Sequence, residues 1–284
     1  MSLAFSLLML AQVGAAPALD LPTGLEDRRR PDTAAPAPVV PKSRTPLEAC
    51  MSAASSDPTG AIGMAEAWLE EAEGSAAAPA QFCLGSANAA LGRWEEAETA
   101  FLAGRDIAAS SDYRLRAQLG AMAGTMALAE DEAARALTAL DRAHADAVTA
   151  ADTGLAGDIA VDRSRALVAL KREEEAAKAL AEARVANPEN AEAWLLSATL
   201  SRRQNKLAEA QAQIQTAAQL DPRDLAIGLE AGVIAVLSGR EEAARRSWQS
   251  VVDAAPESDA AKTATDYLAQ LAPGPAPAAP AASE

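Results

Sequence analysis

The stretch Ala191–Asp224, AEAWLLSATLSRRQNKLAEAQAQIQTAAQLDPRD, decides the fold. Trp194, Ser197, Ala198 and Ser201 share one face of a first helix. Ala210, Ile214 and Ala217 share one face of a second, and Pro222 closes the unit. Their spacing is the helical period. The pattern recurs 34 residues away in both directions. Backwards it gives Ala160, Arg163, Ser164 and Leu167, then Ala176, Leu180, Ala183 and Pro188. Forwards it gives Gly228, Ala231, Gly232 and Ala235, then Ala244, Trp248, Val251 and Pro256. Small residues recur where two helices must approach closely, and large ones where a gap must be filled. A constant 34-residue helical period predicts stacked helix pairs that share one core, because no single pair buries its apolar face alone.

An earlier unit carries Leu84-Gly85, the turn Gly92-Arg93-Trp94-Glu95-Glu96-Ala97, and Phe101 four residues after Ala97. The stretch Ala117 to Leu140 fits more loosely, with Gly120, Ala121, Ala133 and Leu137 in register. Between it and the unit at Gly157 the register slips by about nine residues. That slip reads as a longer helix or loop through Asp146 to Thr153. Together these units resemble the tetratricopeptide repeat (TPR) family, with its W-x2-L-G-x2-Y, A-x3-F and P spacing. The Tyr position is filled instead by Asn88, Leu167, Ser201 and Ala235, which leaves a related helical-pair solenoid open. The resemblance implies an all-α, right-handed TPR-like solenoid of about five to six helix pairs, over residues 46–271. Ser258-Asp259 caps a last helix whose Ala261, Ala264, Leu268 and Leu271 form one stripe, the expected C-terminal capping helix.

In TPR proteins the first helix of each pair lines a groove that takes a protein or peptide. The resemblance therefore implies a partner-binding face built from Phe82, Val161, Arg165, Leu195, Thr199, Arg202, Arg203, Leu229 and Val233, with Ser86 beside Phe82. Some members hold a peptide carboxylate with Lys and Asn. Here Val161, Leu195 and Leu229 stand at the Lys position, and Arg165, Thr199 and Val233 at the Asn position, so that clamp is not expected. The apolar members read equally as packing residues. The arginines either flank the groove as a positive feature or pair with acids such as Asp158 or Glu192.

The formal charge is −15 over 284 residues, which speaks against nucleic acid and against an anionic membrane surface. Residues 1–18 are uncharged, with an apolar run from Leu3 to Val13 and a small-x-small site at Ala16-Pro17-Ala18. They read as a signal peptide too short to span a bilayer, and hence as export to the periplasm or beyond. Without it the chain would stay in the cytoplasm. Residues 19–45 form a Pro-rich linker containing Arg28-Arg29-Arg30, and 272–284 a Pro/Ala-rich tail, both expected to be disordered. The two cysteines, Cys50 and Cys83, lie 33 residues apart, close to one repeat, so a disulfide between neighbouring first helices is one reading and two separate buried thiols the other.

Chemistry is not prominent. Asp141 and His144 share a helix face, but two ligands do not make a zinc site. No phosphate loop, nucleophile elbow or metalloprotease helix appears. Aromatic residues are 3% of the chain, and cofactor pockets lean on them. Trp68, Trp94, Trp194 and Trp248 fall on packing stripes. The sequence predicts no catalysis and no cofactor. The leading expectation is an interaction scaffold. An enzyme or ligand carrier with an acidic site, or a structural spacer, stands as the alternative. Export predicts a mature chain starting at Leu19, read directly by intact mass.

Overall fold

The computed structural model describes residues 44–271. The expected signal segment, nearly all of the linker and the tail lie outside them. Among the described residues the chain is all-α. The helices are α1 (Pro46–Ser56), α2 (Pro58–Glu71), α3 (Ala78–Ala90), α4 (Trp94–Ile107), α5 (Tyr113–Ala129), α6 (Ala133–Thr149), α7 (Thr153–Ala169), α8 (Glu173–Ala186), α9 (Ala191–Arg203), α10 (Leu207–Leu220), α11 (Leu225–Leu237), α12 (Glu241–Ala254) and α13 (Asp259–Gln270), with a 3-10 turn at Gly74–Ala77. They form six pairs and a final single helix.

Two kinds of connection set the alternation. Within each pair from α3 onward, three residues reverse the chain, and the middle one is left-handed. These are Gly92, Asp131, Lys171, Asn205 and Gly239, with φ between 57° and 71°. The next residue's amide bonds back to the last turn of the first helix. Arg93 N–H meets the Asn88 carbonyl, Glu132 that of Ala127, Arg172 that of Leu167, Lys206 that of Ser201 and Arg240 that of Ala235. This closure satisfies carbonyls the helix end would otherwise leave open. Between pairs the chain usually runs extended into a side-chain cap. Asp112, Asn190, Asp224 and Ser258 each accept an amide from the first turn of the following helix. Pro188, Pro222 and Pro256 follow helix ends that they help to stop.

The core is a repeated meeting of a small residue on the first helix with a large one on the second. A Cβ on Gly85 would stand 2.5 Å from the Phe101 ring, and one on Gly124 2.5 Å from Leu140. Gly232 lies directly against the Trp248 indole. Ser164 and Ala198 take the small position in the other pairs, with Leu180 and Ile214 as the large residues, all buried. The last helix seals the array. Ala261 and Ala264 are buried, and Tyr267, Leu268 and Leu271 pack against the α11–α12 core, with the Tyr267 ring 5.0 Å from Trp248.

The register of α5 and α6 differs from the sequence expectation by three residues. Ala123, Gly124, Ala136 and Leu140 occupy the places assigned to Gly120, Ala121, Ala133 and Leu137. The slip before α7 is therefore six residues. It is absorbed by helix length: α6 and α7 have 17 residues each, against 14 and 13 in α10 and α9. Their link, Ala150-Ala151-Asp152, is one residue shorter than those before α9, α11 and α13 and copies the within-pair turn, with Ala151 at φ 54°. Of the four tryptophans read onto packing stripes only Trp248 is buried, and Trp194 is half-buried at the edge of the α9–α11 core. Trp94 begins α4 and is 37% exposed, and Trp68 is only half-buried.

Cys50 and Cys83 are joined as a disulfide with Cα atoms 6.0 Å apart, tying α1 to α3. The first pair needs it, because α2 buries only Ala61 and Ala65 where later pairs bury Phe, Leu, Ile or Trp. Closing a loop of this length is worth roughly 3–4 kcal/mol. Cys83→Ser should lower hydrogen-exchange protection of α1 and α2 by about that amount and leave α9 to α13 unchanged. At the helix contact, Gly85→Val should cost about 1–3 kcal/mol of stability. Gly63→Ala, with nothing within 4 Å of the new methyl, should instead stabilise by about 0.5–1 kcal/mol. Thermal and chemical melts check both.

Candidate partner-binding face

The first helices present a face on which polar links step from one repeat to the next. Thr125 on α5 donates to Asp162 on α7 at 3.4 Å. Arg165 on α7 pairs with Asp162 and with Glu192 on α9. Arg202 on α9 donates to Glu230 on α11 at 2.6 Å. Arg203 turns aside to Glu173 on α8, at 3.2 Å. The arginines thus pair with acids, and the positive feature is largely cancelled.

The apolar members divide. Val161 is 3% exposed and packs with Ala160, Ala183 and Ala193, so it belongs to the core. Leu195, Thr199, Leu229 and Val233 are half-buried and keep part of their surface open. Phe82 is half-buried too, its ring 6.4 Å from that of Phe101. What the face offers is a shallow apolar strip on α9 and α11, bordered by paired charges. Asp162 is the most constrained of these. Burial pushes its carboxyl above the ordinary value, against the opposing pull of Arg165.

A second charged cluster joins residues that share no motif in the sequence. Arg105 is 4% exposed and pairs with Asp146 at 2.7 Å, while Arg116 approaches the same carboxylate at 3.6 Å. This joins α4, α5 and α6. Arg105 lies four residues after Phe101, on the same helical stripe, and that position was the available clue. Glu98 and Arg135 make a neighbouring α4–α6 pair at 3.2 Å, and burial raises the Glu98 carboxyl pKa.

Asp141 and His144 do not converge on a metal. Asp141 accepts from Arg163 at 2.8 Å, and His144 stands 3.8 Å from Glu182. Among the described residues no group of three or more His, Cys, Asp or Glu side chains could hold a metal ion. No described helix is long and apolar enough to cross a membrane.

No family model matches the chain, and no curated protein matches it. Solved structures do. PilW, described as a widely conserved type IV pilus biogenesis factor, is 14% identical, with 78% of this chain and 100% of that one covered at a TM-score of 0.62. The pilF protein of Pseudomonas aeruginosa gives the same identity and TM-score over 78% and 97%. YrrB, described as a TPR protein with an unusual peptide-binding site, is 20% identical over 71% and 99%, with a TM-score of 0.52. The fold is that of the TPR solenoid proteins.

Two outcomes follow from the charges. Asp146→Ala leaves the buried Arg105 guanidinium with only the exposed Asp106 carboxylate, at 3.4 Å, and should cost about 3 kcal/mol, read by chemical denaturation. Asp162 has a raised folded pKa, so its favourable contribution is full below the unfolded value of 3.8 and is lost as pH rises through the folded value. Asp162→Asn should therefore melt higher than the parent at neutral pH, with the two curves converging as pH falls towards about 4.

Proposed function

We propose that this protein is a non-catalytic interaction scaffold of an exported, oxidising compartment, which receives a protein or peptide segment on the first-helix face. One observation carries the reading: Leu195, Thr199, Leu229 and Val233 form a half-open apolar strip on adjacent first helices, in a TPR fold. Solenoids use such extended faces for binding. Because Arg165 and Arg202 already pair with Glu192 and Glu230, shape and apolar contact dominate recognition, with little electrostatic steering. Export is supported by the signal-like start and by the Cys50–Cys83 disulfide, since such bonds persist where thiols are not kept reduced.

The test is crosslinking and affinity capture from the native compartment, then repetition with Thr199→Trp and Val233→Trp, which fill the strip without replacing a member of an ion pair. A partner captured by the parent should be lost from both variants while their melting is preserved. Capture that survives both would place the interface elsewhere.

A further inference from the structure

The six-residue slip that breaks the repeat period has a structural product. The added turns of α6 and α7 line a trench between α6 and α8, floored by α7. Its residues include Val148, Thr153, Ala156, Gly157, Ala181 and Val185, and it is an open groove of about 700 Å³. Arg163, in the polar pocket that adjoins the trench, bonds to α6 and α8, whereas Arg165 bonds to α9, so the trench opens on the side away from the first-helix strip. Its lips are apolar. Val185 and Val148 are 83% and 59% exposed, the two most exposed large hydrophobic residues among those described. Water contact at such positions is costly, and both stand at one groove.

The charge at one end defines the occupant. Lys178 borders both the trench and the polar pocket that continues it, and it enters no ion pair among the described residues. Glu175 lies near enough to feel its charge but is itself bonded to Arg172. Glu182 faces Arg163 at 3.4 Å, and His144 at 3.8 Å. Burial, and then Arg163, hold the His144 pKa below its ordinary value, so the imidazole is neutral at pH 7. From Lys178 the wall runs along α8 through Ala181 and Val185 to Ala186, a length of about 12 Å at 1.5 Å per residue.

We propose that this trench binds a free medium-chain aliphatic carboxylate, with the carboxylate at Lys178 and the alkyl chain along Ala181, Ala156, Gly157 and Val185. The volume lies within the roughly 300–1,000 Å³ of small-molecule sites. Along Ala156, Gly157 and Ala181 the wall backbone is bonded within its own helices, so an extended peptide lying there would find few partners for its amides. An alkyl chain carries no such groups, and the Ala and Gly walls let it lie close. The site is separate from the first-helix strip and does not depend on it.

Calorimetric titration of the full chain with decanoate, and with decanol as the uncharged probe, tests the assignment. Decanoate should bind saturably at one site, and Ala181→Trp should abolish it. Val185→Asp, at a position exposed enough to leave the fold intact, should weaken both probes. Lys178→Ala should weaken decanoate about fivefold and leave decanol unchanged. Thr199→Trp should change neither. Absence of saturable decanoate binding overturns the proposal, as does binding indifferent to both Ala181→Trp and Val185→Asp. Equal loss of both probes in Lys178→Ala also overturns it.

Discussion

Everything in this solenoid depends on how closely the two helices of a pair approach. At Gly85, Gly124 and Gly232 the backbone itself is the contact surface, and Phe101, Leu140 and Trp248 fill the space a side chain would have taken. Where the small residue is Ser164 or Ala198, the opposing residue is Leu180 or Ile214, smaller than the Phe101 and Trp248 that face Gly85 and Gly232. The volumes compensate, as close packing demands. Once that distance is set, the stripes on the outer flanks of each pair are aligned to receive the next pair.

The turns enforce the same geometry by backbone means. Five within-pair reversals use a left-handed residue, and three of those residues are not glycine: Asp131, Lys171 and Asn205. The reversal at Ala151 shows that this turn also serves between pairs, where it replaces the extended link used before α9, α11 and α13 while Asp152 still caps α7. The middle of the array thus differs from its ends in helix length and in connection. The departure is what opens the α6–α8 trench.

The ends are treated unequally. At the C-terminal end α13 covers the last pair with Ala261, Ala264 and Leu268, an apolar closure of the ordinary repeat-protein kind. At the N-terminal end the buried residues of the first pair are Cys50, Ala54, Ala61 and Ala65, too small to hold it by burial alone. A covalent bond supplies the remainder. Between the two ends, buried or half-buried ion pairs such as Arg105–Asp146 and Arg202–Glu230 join neighbouring repeats. Removing one partner of such a pair is costly even where the intact pair adds little.

The sequence alone determined the helical pairs from Ala160 to Pro256, because a strict period puts the same kind of residue at the same contact each time. The register was misassigned only in α5 and α6. There Gly120 and Gly124 both offer a small residue at helical spacing, and only the facing Leu140 decides between them. The tertiary structure alone assigned the arginines to their acids and Val161 to the core. It also exposed Trp94 and opened the trench between Val148 and Val185. These outcomes rest on distances between residues far apart in the chain. A local pattern shows which face of a helix is apolar, but the neighbouring helix decides whether that face is covered.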